Sequence, residues 1–164
     1  MKTSDAIAKR IKKEVDVVFG VTGAAIINLF DSFDKNGIRI IPMHHEQSAA
    51  IAADAYARFK GFGVCCGTSG PGITNLITGV ACSYFDSIPV LVIGGQVMTK
   101  FLDKPDRQTG FQEIDGISLM RPITKHATRC IDLNELETCI AIAKNDRPGP
   151  TFLELPDDVQ REEI

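Results

Sequence analysis

Two stretches of the chain put reactive side chains where a strand gives way to a helix. The first is His44-His45-Glu46, which follows the β-branched run Ile38-Arg-Ile-Ile41 and opens an Ala-rich segment without Gly or Pro. A carboxylate there lies beside the positive end of a helix dipole. In an open parallel α/β sheet, that edge is also where ligands bind. Acidic residues are common in the first turn of ordinary helices too, so position alone leaves Glu46 as either an acid–base group or a routine first-turn residue. The second stretch is Thr68-Ser-Gly-Pro-Gly72, between an apolar run and the next helix. Its free backbone N–H groups could cradle an anion. It is not a P-loop, because no Gly-Lys-Ser/Thr follows. Gly61, Gly63 and Gly67 lack the G-x-G-x-x-G spacing, so nucleotide-binding folds lose their main support.

Other candidates weaken on inspection. Ser69 lacks the G-x-S-x-G setting of a hydrolase nucleophile. Successive residues of an extended segment point to opposite sides, so His44, His45 and Glu46 do not easily share one metal ion, and no distant His/Cys cluster completes a site. No metal ligand is expected in this chain. His126, on an expected strand, reads as a core or edge histidine.

The elements that must carry these residues alternate along the chain. Ile7, Ile11 and Val15 recur at four-residue steps, with Lys and Arg off the stripe, predicting an amphipathic surface helix over residues 4–14. Strands are expected at 16–19, 38–41, 63–67, 90–93, 124–129 and 151–155. Helices are expected between them: about a dozen residues ending near Asn36-Gly37, then 46–59, then one through Leu76 and Tyr84. A last helix opens at Asp132 and Glu135, a capping-box variant. Residues 97–121 hold no sustained period and read as a long functional loop. The fold class is therefore α/β: a six-stranded, mostly parallel sheet with helices on both faces. The small side chains of 46–59 let that helix approach neighbours on more than one side. It is expected to be buried, with a subunit interface one way to bury it.

Composition sets the outer bounds. One domain of ordinary globular make-up is expected from 164 residues with 44% hydrophobic and 24% charged side chains. A net charge of -3 gives nucleic-acid binding no support. No apolar run nears the roughly 18 residues of a membrane span, and residues 1–10 lack the apolar core of a signal peptide. Five cysteines, with Cys65-Cys66 inside an expected strand and no C-x-x-C, fit reduced and mostly buried thiols of a cytoplasmic protein.

Seven segments then point the same way: His45-Glu-Gln47, Thr68–Gly72 with Thr74-Asn75, Asp86-Ser-Ile-Pro89, Gly95-Gln96-Val97, Phe111-Gln-Glu-Ile-Asp115, Pro122-Ile-Thr-Lys125 and Arg147-Pro-Gly-Pro150. In this order and spacing the chain resembles the N-terminal, pyrimidine-binding domain of acetolactate synthase-like thiamine diphosphate enzymes. The likeness runs over nearly all of residues 1–164 and leans toward the members that serve bacterial surface-sugar pathways.

The resemblance implies a cofactor held between two domains, usually of different subunits. The glutamate matching Glu46 hydrogen-bonds the N1′ ring nitrogen of thiamine diphosphate and promotes the imino tautomer, whose 4′ nitrogen takes the thiazolium C2 proton. Gly23, Thr68, Ser69, Gly70, Pro71 and Asn75 match the pyrimidine side. Phe111 and Gln112 match substrate-proximal positions, against the alternative of simple loop anchoring for Phe111. Lys125 falls in a segment lining the same channel, against the alternative of a solvated charge. The substrate would be pyruvate or a related 2-keto acid.

There are departures from the family pattern. Thr22-Gly-Ala24 stands where Pro-Gly-Gly is usual. The diphosphate- and Mg²⁺-binding motif does not occur in the chain, nor does the middle domain that carries FAD in true acetolactate synthases. The diphosphate-binding domain is then expected either elsewhere on a longer polypeptide or on a separate subunit, as in sulfopyruvate decarboxylase. A non-catalytic domain that keeps the fold is the third reading. The segment from Asp158 to Ile164 is expected to begin an interdomain linker.

Overall fold

The computed structural model describes residues 1–164. Thirteen elements alternate: α1 (Thr3–Ile11), β1 (Val17–Gly20), α2 (Ile27–Lys35), β2 (Arg39–Pro42), α3 (Glu46–Lys60), β3 (Gly63–Gly67), α4 (Pro71–Asp86), β4 (Val90–Gln96), α5 (Gly116–Met120), β5 (His126–Arg129), α6 (Leu133–Lys144), β6 (Thr151–Pro156) and α7 (Asp157–Arg161). The six strands form one sheet in the order β2-β1-β3-β4-β6-β5. Every pairing in it is parallel.

The apolar runs of the strands are continuous because both sheet faces are covered. Successive side chains alternate between two separate cores. Val18, Val64, Cys66, Leu91, Ile93 and Leu153 pack with α1, α2 and α6 through Ile7, Ile11, Leu29, Phe33, Leu136 and Ile140. Phe19, Cys65, Val92 and Phe152 pack on the other side with α3 and α4 through Ala49, Ala50, Ala53, Ile73 and Leu76. Cys65, Cys66, Cys130 and Cys139 are buried free thiols and Cys82 is exposed. Burial pushes the Cys65 thiol up to about 12, which suits an inert packing group rather than a nucleophile.

The side on which strands are added to the sheet changes after β2. From β1 the chain crosses to β2 on one side, then returns to place β3 on the other, so a crevice opens beyond the carboxyl ends of β1 and β3. That is a topological switch point, the usual ligand position in open α/β sheets.

The structure departs from the sequence expectations in five places. Residues 21–26 turn before α2 begins, which shortens the expected dozen-residue helix to nine residues. β4 runs on through Gly94, Gly95 and Gln96, because those residues pair with Glu154, Leu155 and Pro156 of β6. The glycines permit this: a Cβ at Gly95 would stand 2.4 Å from the Ala25 carbonyl oxygen. The 97–121 stretch is partly ordered into a 3₁₀ turn at Thr99–Phe101 and the helix α5, capped by Asp115. The expected linker after Pro156 instead begins with α7, whose fully buried Gln160 donates to the Ala25 and Leu155 carbonyls. Finally, α3 is buried along one face only, since Ile51 and Phe59 remain exposed on the other.

Candidate functional site

Glu46 is the first residue of α3, and its placement follows from how β2 ends. The Met43 amide still donates to Gly20 O at 2.9 Å, and the chain then turns at His44 and His45. His45 is the N-cap, its Nδ1 accepting from the Gln47 amide at 3.1 Å. That use of the ring gives His45 a local structural role. Glu46 itself is buried, at 7% exposure.

Small residues bring α4 against it. A Cβ on Gly79 would lie 2.5 Å from Ala50 Cβ, and one on Gly63 would lie 2.2 Å from the Ala53 carbonyl oxygen. Such contact distances are open only to glycine, and they let α3 lie close to both α4 and β3. Asn75 is one turn before Gly79, as Glu46 is one turn before Ala50, so the two polar residues meet where the helices touch. Asn75 Nδ2 donates to Glu46 Oε2 at 2.9 Å. Oε1 accepts no hydrogen bond from the chain, which leaves one oxygen of this largely buried carboxylate available to an external donor.

The turn after β3 closes the next side. Pro71 occupies the first position of α4, where its missing N–H costs nothing. Thr68 reaches the turn after β1: its Oγ1 accepts from the Ala25 amide at 3.3 Å, and its side chain fills the space a Cβ on Gly23 would need. Ser69 and Gly70 are buried. Gly70 has φ +60, and a Cβ there would come within 2.8 Å of the Gln112 carbonyl oxygen. Gln112, itself at φ 58, holds a left-handed conformation that is costly for a non-glycine residue. The long loop is thus folded back onto the Ser69–Gly70 turn.

Ala24, Ala25, Ser69, Val97, Phe111 and Gln112 line a cleft of about 220 Å³ between these turns. Enclosed small-molecule sites run from roughly 300 to 1,000 Å³, so this cleft is only part of a site. Phe111 is 79% exposed at its rim.

Of the residues singled out from sequence, Gly23, Glu46, Thr68, Ser69, Gly70, Pro71, Asn75, Phe111 and Gln112 all belong to turns, helix starts or loops beyond the carboxyl ends of the four adjacent strands β2, β1, β3 and β4. Lys125 does not join them. It precedes β5 at the opposite edge of the sheet, where its Nζ donates to the Ile142 and Asn145 carbonyls at the end of α6. A cation there satisfies orphan carbonyls and complements the negative end of the helix.

Sequence reasoning missed three residues. Gln96 and Glu154 are buried beside the site-bearing loop and Arg129 is half-buried there. Gln96 Nε2 donates to Glu154 Oε1 at 3.0 Å, and Arg129 Nε donates to Glu154 Oε2 at 2.7 Å. A lone acid inside the apolar run Thr151-Phe-Leu-Glu-Leu155 was the signal that could have exposed this group.

A buried carboxylate with one oxygen free of hydrogen bonds thus lies at the carboxyl edge of a parallel α/β sheet, the same edge that holds the partly formed cleft. Residues 1–119 match the family model for the N-terminal TPP-binding domain of thiamine pyrophosphate enzymes, and the chain belongs to that family. It is 43% identical, over its whole length, to the "Probable acetolactate synthase large subunit" of Methanocaldococcus jannaschii, covering 28% of that protein. It is also 43% identical to the acetolactate synthase isozyme 2 large subunit of Escherichia coli, over 89% of this chain and 27% of that one. The large subunit from Cyanidium caldarium is 40% identical, over 94% of this chain and 27% of its own length. The chain therefore spans little more than a quarter of the curated relatives it matches.

Proposed function

We propose that this chain is the pyrimidine-binding domain of an acetolactate synthase-like carboligase, with Glu46 as the catalytic acid–base residue toward thiamine diphosphate. The observation that carries the reading is the Glu46 carboxylate, buried, fixed through Oε2 by Asn75 and open at Oε1. The residues fit the aminopyrimidine: a ring nitrogen that gains a proton needs a desolvated acceptor aimed at it, and a hydrogen bond from neutral Asn75 orients the carboxyl without neutralising it. When bound, thiamine diphosphate supplies the nucleophilic carbon that attacks a 2-keto acid, a task that belongs to the cofactor. Glu46 holds or releases a proton at Oε1, Asn75 keeps that oxygen in place, and the Thr68–Gly72 turn with Gly23 would hold the pyrimidine side of the cofactor. Phe111 and Gln112, which line the cleft, would contact the substrate.

The reaction is decarboxylation of pyruvate or a related 2-keto acid and transfer of the two-carbon unit to a keto acceptor. The partial cleft and the apolar outer face of α3 and α4, with Phe59 at 89% and Phe85 at 72% exposure, both call for a facing domain. That domain would carry the diphosphate and Mg²⁺, on the same polypeptide or on a separate subunit. The active unit is at least a dimer, and FAD, if the complete enzyme holds it, belongs to a middle domain. The setting is the cytoplasm, in keeping with four buried reduced thiols.

Turnover of pyruvate by the complete enzyme carrying Glu46→Gln tests the assignment. The variant keeps the shape and loses the acid, and turnover is expected to fall by at least about 10²-fold. Turnover equal to the parent's removes Glu46 from the mechanism.

A further inference from the structure

Beyond Glu46, the structure contains a second buried carboxylate at the same sheet edge, and it faces the loop rather than the cleft. Glu154 is 1% exposed, in the middle of an apolar strand. Both of its oxygens are engaged, by Gln96 and by Arg129, as given above. Each of those partners also grips the loop that leaves β4. Gln96 Nε2 donates to the Ile114 carbonyl at 2.7 Å, and Arg129 Nη1 donates to Asp103 Oδ2 at 2.6 Å. Asp103 adopts φ 59, so its carboxylate is presented by a left-handed turn. Between those two anchors lie Phe111 and Gln112. The intervening tip is knotted locally by Glu113, whose Oε2 accepts from the Thr109 and Gly110 amides at 2.7 and 2.8 Å.

We propose that Glu154 is a positioning residue: through Gln96 and Arg129 it holds both ends of the 97–115 loop so that Phe111 and Gln112 close against the Ser69–Gly70 turn. This deepens the functional reading above and rests on it. A burial this complete without loop contact would be served better by an apolar residue in the strand, since a buried ion pair gains little over well-packed hydrophobes. What the carboxylate adds is a fixed connection from three strand ends to two points on one loop. Its effect falls on substrate recognition. Glu46 and Asn75 lie on α3 and α4 and share no hydrogen bond with this network.

Two variants test the idea. Glu154→Gln keeps the volume and weakens the Arg129 bond. Asp103→Asn cuts the same chain at a solvent-exposed residue, so it reports even where the first variant fails to fold. In the complete enzyme, Glu154→Gln is expected to raise KM for the 2-keto acid about tenfold with kcat within about threefold, the pattern of lost positioning and of one lost charged hydrogen bond. Asp103→Asn shifts KM in the same direction by less. In the 164-residue chain, hydrogen exchange at the Thr109, Gly110 and Glu113 amides is expected to quicken in both variants while α3 and α4 keep their protection. Unchanged loop exchange overturns the proposal, as does a quickened loop with KM unaltered. A parallel fall in kcat, cofactor affinity and melting temperature overturns it as well, since that is general destabilisation. An enzyme with no 2-keto acid turnover at all would sink the functional reading instead, and loop exchange would still decide whether Glu154 holds the loop.

Discussion

The two faces of the sheet are built from the same alternating strands but from opposite kinds of helix. On one face α1, α2 and α6 bring Ile7, Ile11, Leu29, Phe33, Leu136 and Ile140 into a core of large side chains. Its rim is tied by ion pairs from Arg10 to Glu14 and Glu137, and from Lys144 to Glu14. On the other face α3 and α4 bring alanines and glycines, two buried acids in Glu46 and Asp54, and an exposed apolar exterior. The first face is complete within this chain. The second packs its helices so closely that Glu46 and Asp54 have fixed partners, and its outer side keeps Phe59 and Phe85 exposed. On the function proposed above, stability and chemistry are separated across the sheet. That separation can be attacked from either side.

The largest effect belongs to the complete face. Leu136 is fully buried, and Leu136→Ala should cost roughly 2–5 kcal/mol of folding stability through lost burial and a residual cavity. Turnover per folded enzyme should stay at the parent level. A specific loss of kcat at a temperature where the variant is folded would show that the faces are coupled.

Glu46→Gln is the mirror image of that change. A tenfold change in rate corresponds to about 1.4 kcal/mol, so the expected 10²-fold fall amounts to roughly 2.7 kcal/mol of transition-state stabilisation. The folded state should lose far less, because Asn75 can still donate to the side-chain carbonyl that the substitution leaves in place. Denaturant midpoints of the parent and variant chains make the comparison. A large drop in midpoint would mean that Glu46 is part of the scaffold.

Gly79→Ala strikes the contact that joins packing to chemistry. The new methyl would lie 2.5 Å from Ala50 Cβ and 3.1 Å from the Gln47 carbonyl oxygen, so α3 and α4 must part. Overpacking of this kind costs roughly 1–3 kcal/mol. Because Asn75 and Glu46 lie one turn away, turnover should fall along with the melting temperature. Loss of stability with full turnover would show that the Asn75 bond is dispensable.

These contrasts explain what was legible in the sequence. The strands and the α/β class followed from short apolar runs between turn residues, because both faces of the sheet are covered and no exposed period is needed. Glu46 and the Thr68–Gly72 turn were visible because strand-to-helix junctions carry strong local markers. The capping box at Asp132 and Glu135 formed as written. The loop hid its order, since its anchors are long-range: Asp103 meets Arg129 and Ile114 meets Gln96, pairings that no window of neighbouring residues contains. The place of Lys125 was hidden for a related reason, as its partners in and just after α6 lie 17 and 20 residues away. α7 was hidden because Gln160, beside its local bond to Leu155, is held by the Ala25 carbonyl and the Leu29 amide, both more than 130 residues away.

The smallest effect returns to the rim of the complete face and can be separated from the others by pH. Burial pushes the Glu14 carboxyl upward, but hydrogen bonds from Lys144 and Arg10 outweigh it and hold its pKa below the ordinary 4.5. With the folded value depressed, the unfolded chain binds the extra proton first as pH falls. The stabilisation is therefore fully present above about pH 5 and lost progressively as pH drops through 4.5 toward the folded value. Glu14→Gln should cost no more than about 1 kcal/mol near neutrality, in keeping with a partly exposed ion pair. The gap between parent and variant should close in acid. Urea midpoints across the pH range would show it, and an unchanging gap would assign the cost to packing rather than charge. Turnover near neutrality should not respond, since Glu14 lies across the sheet from Glu46.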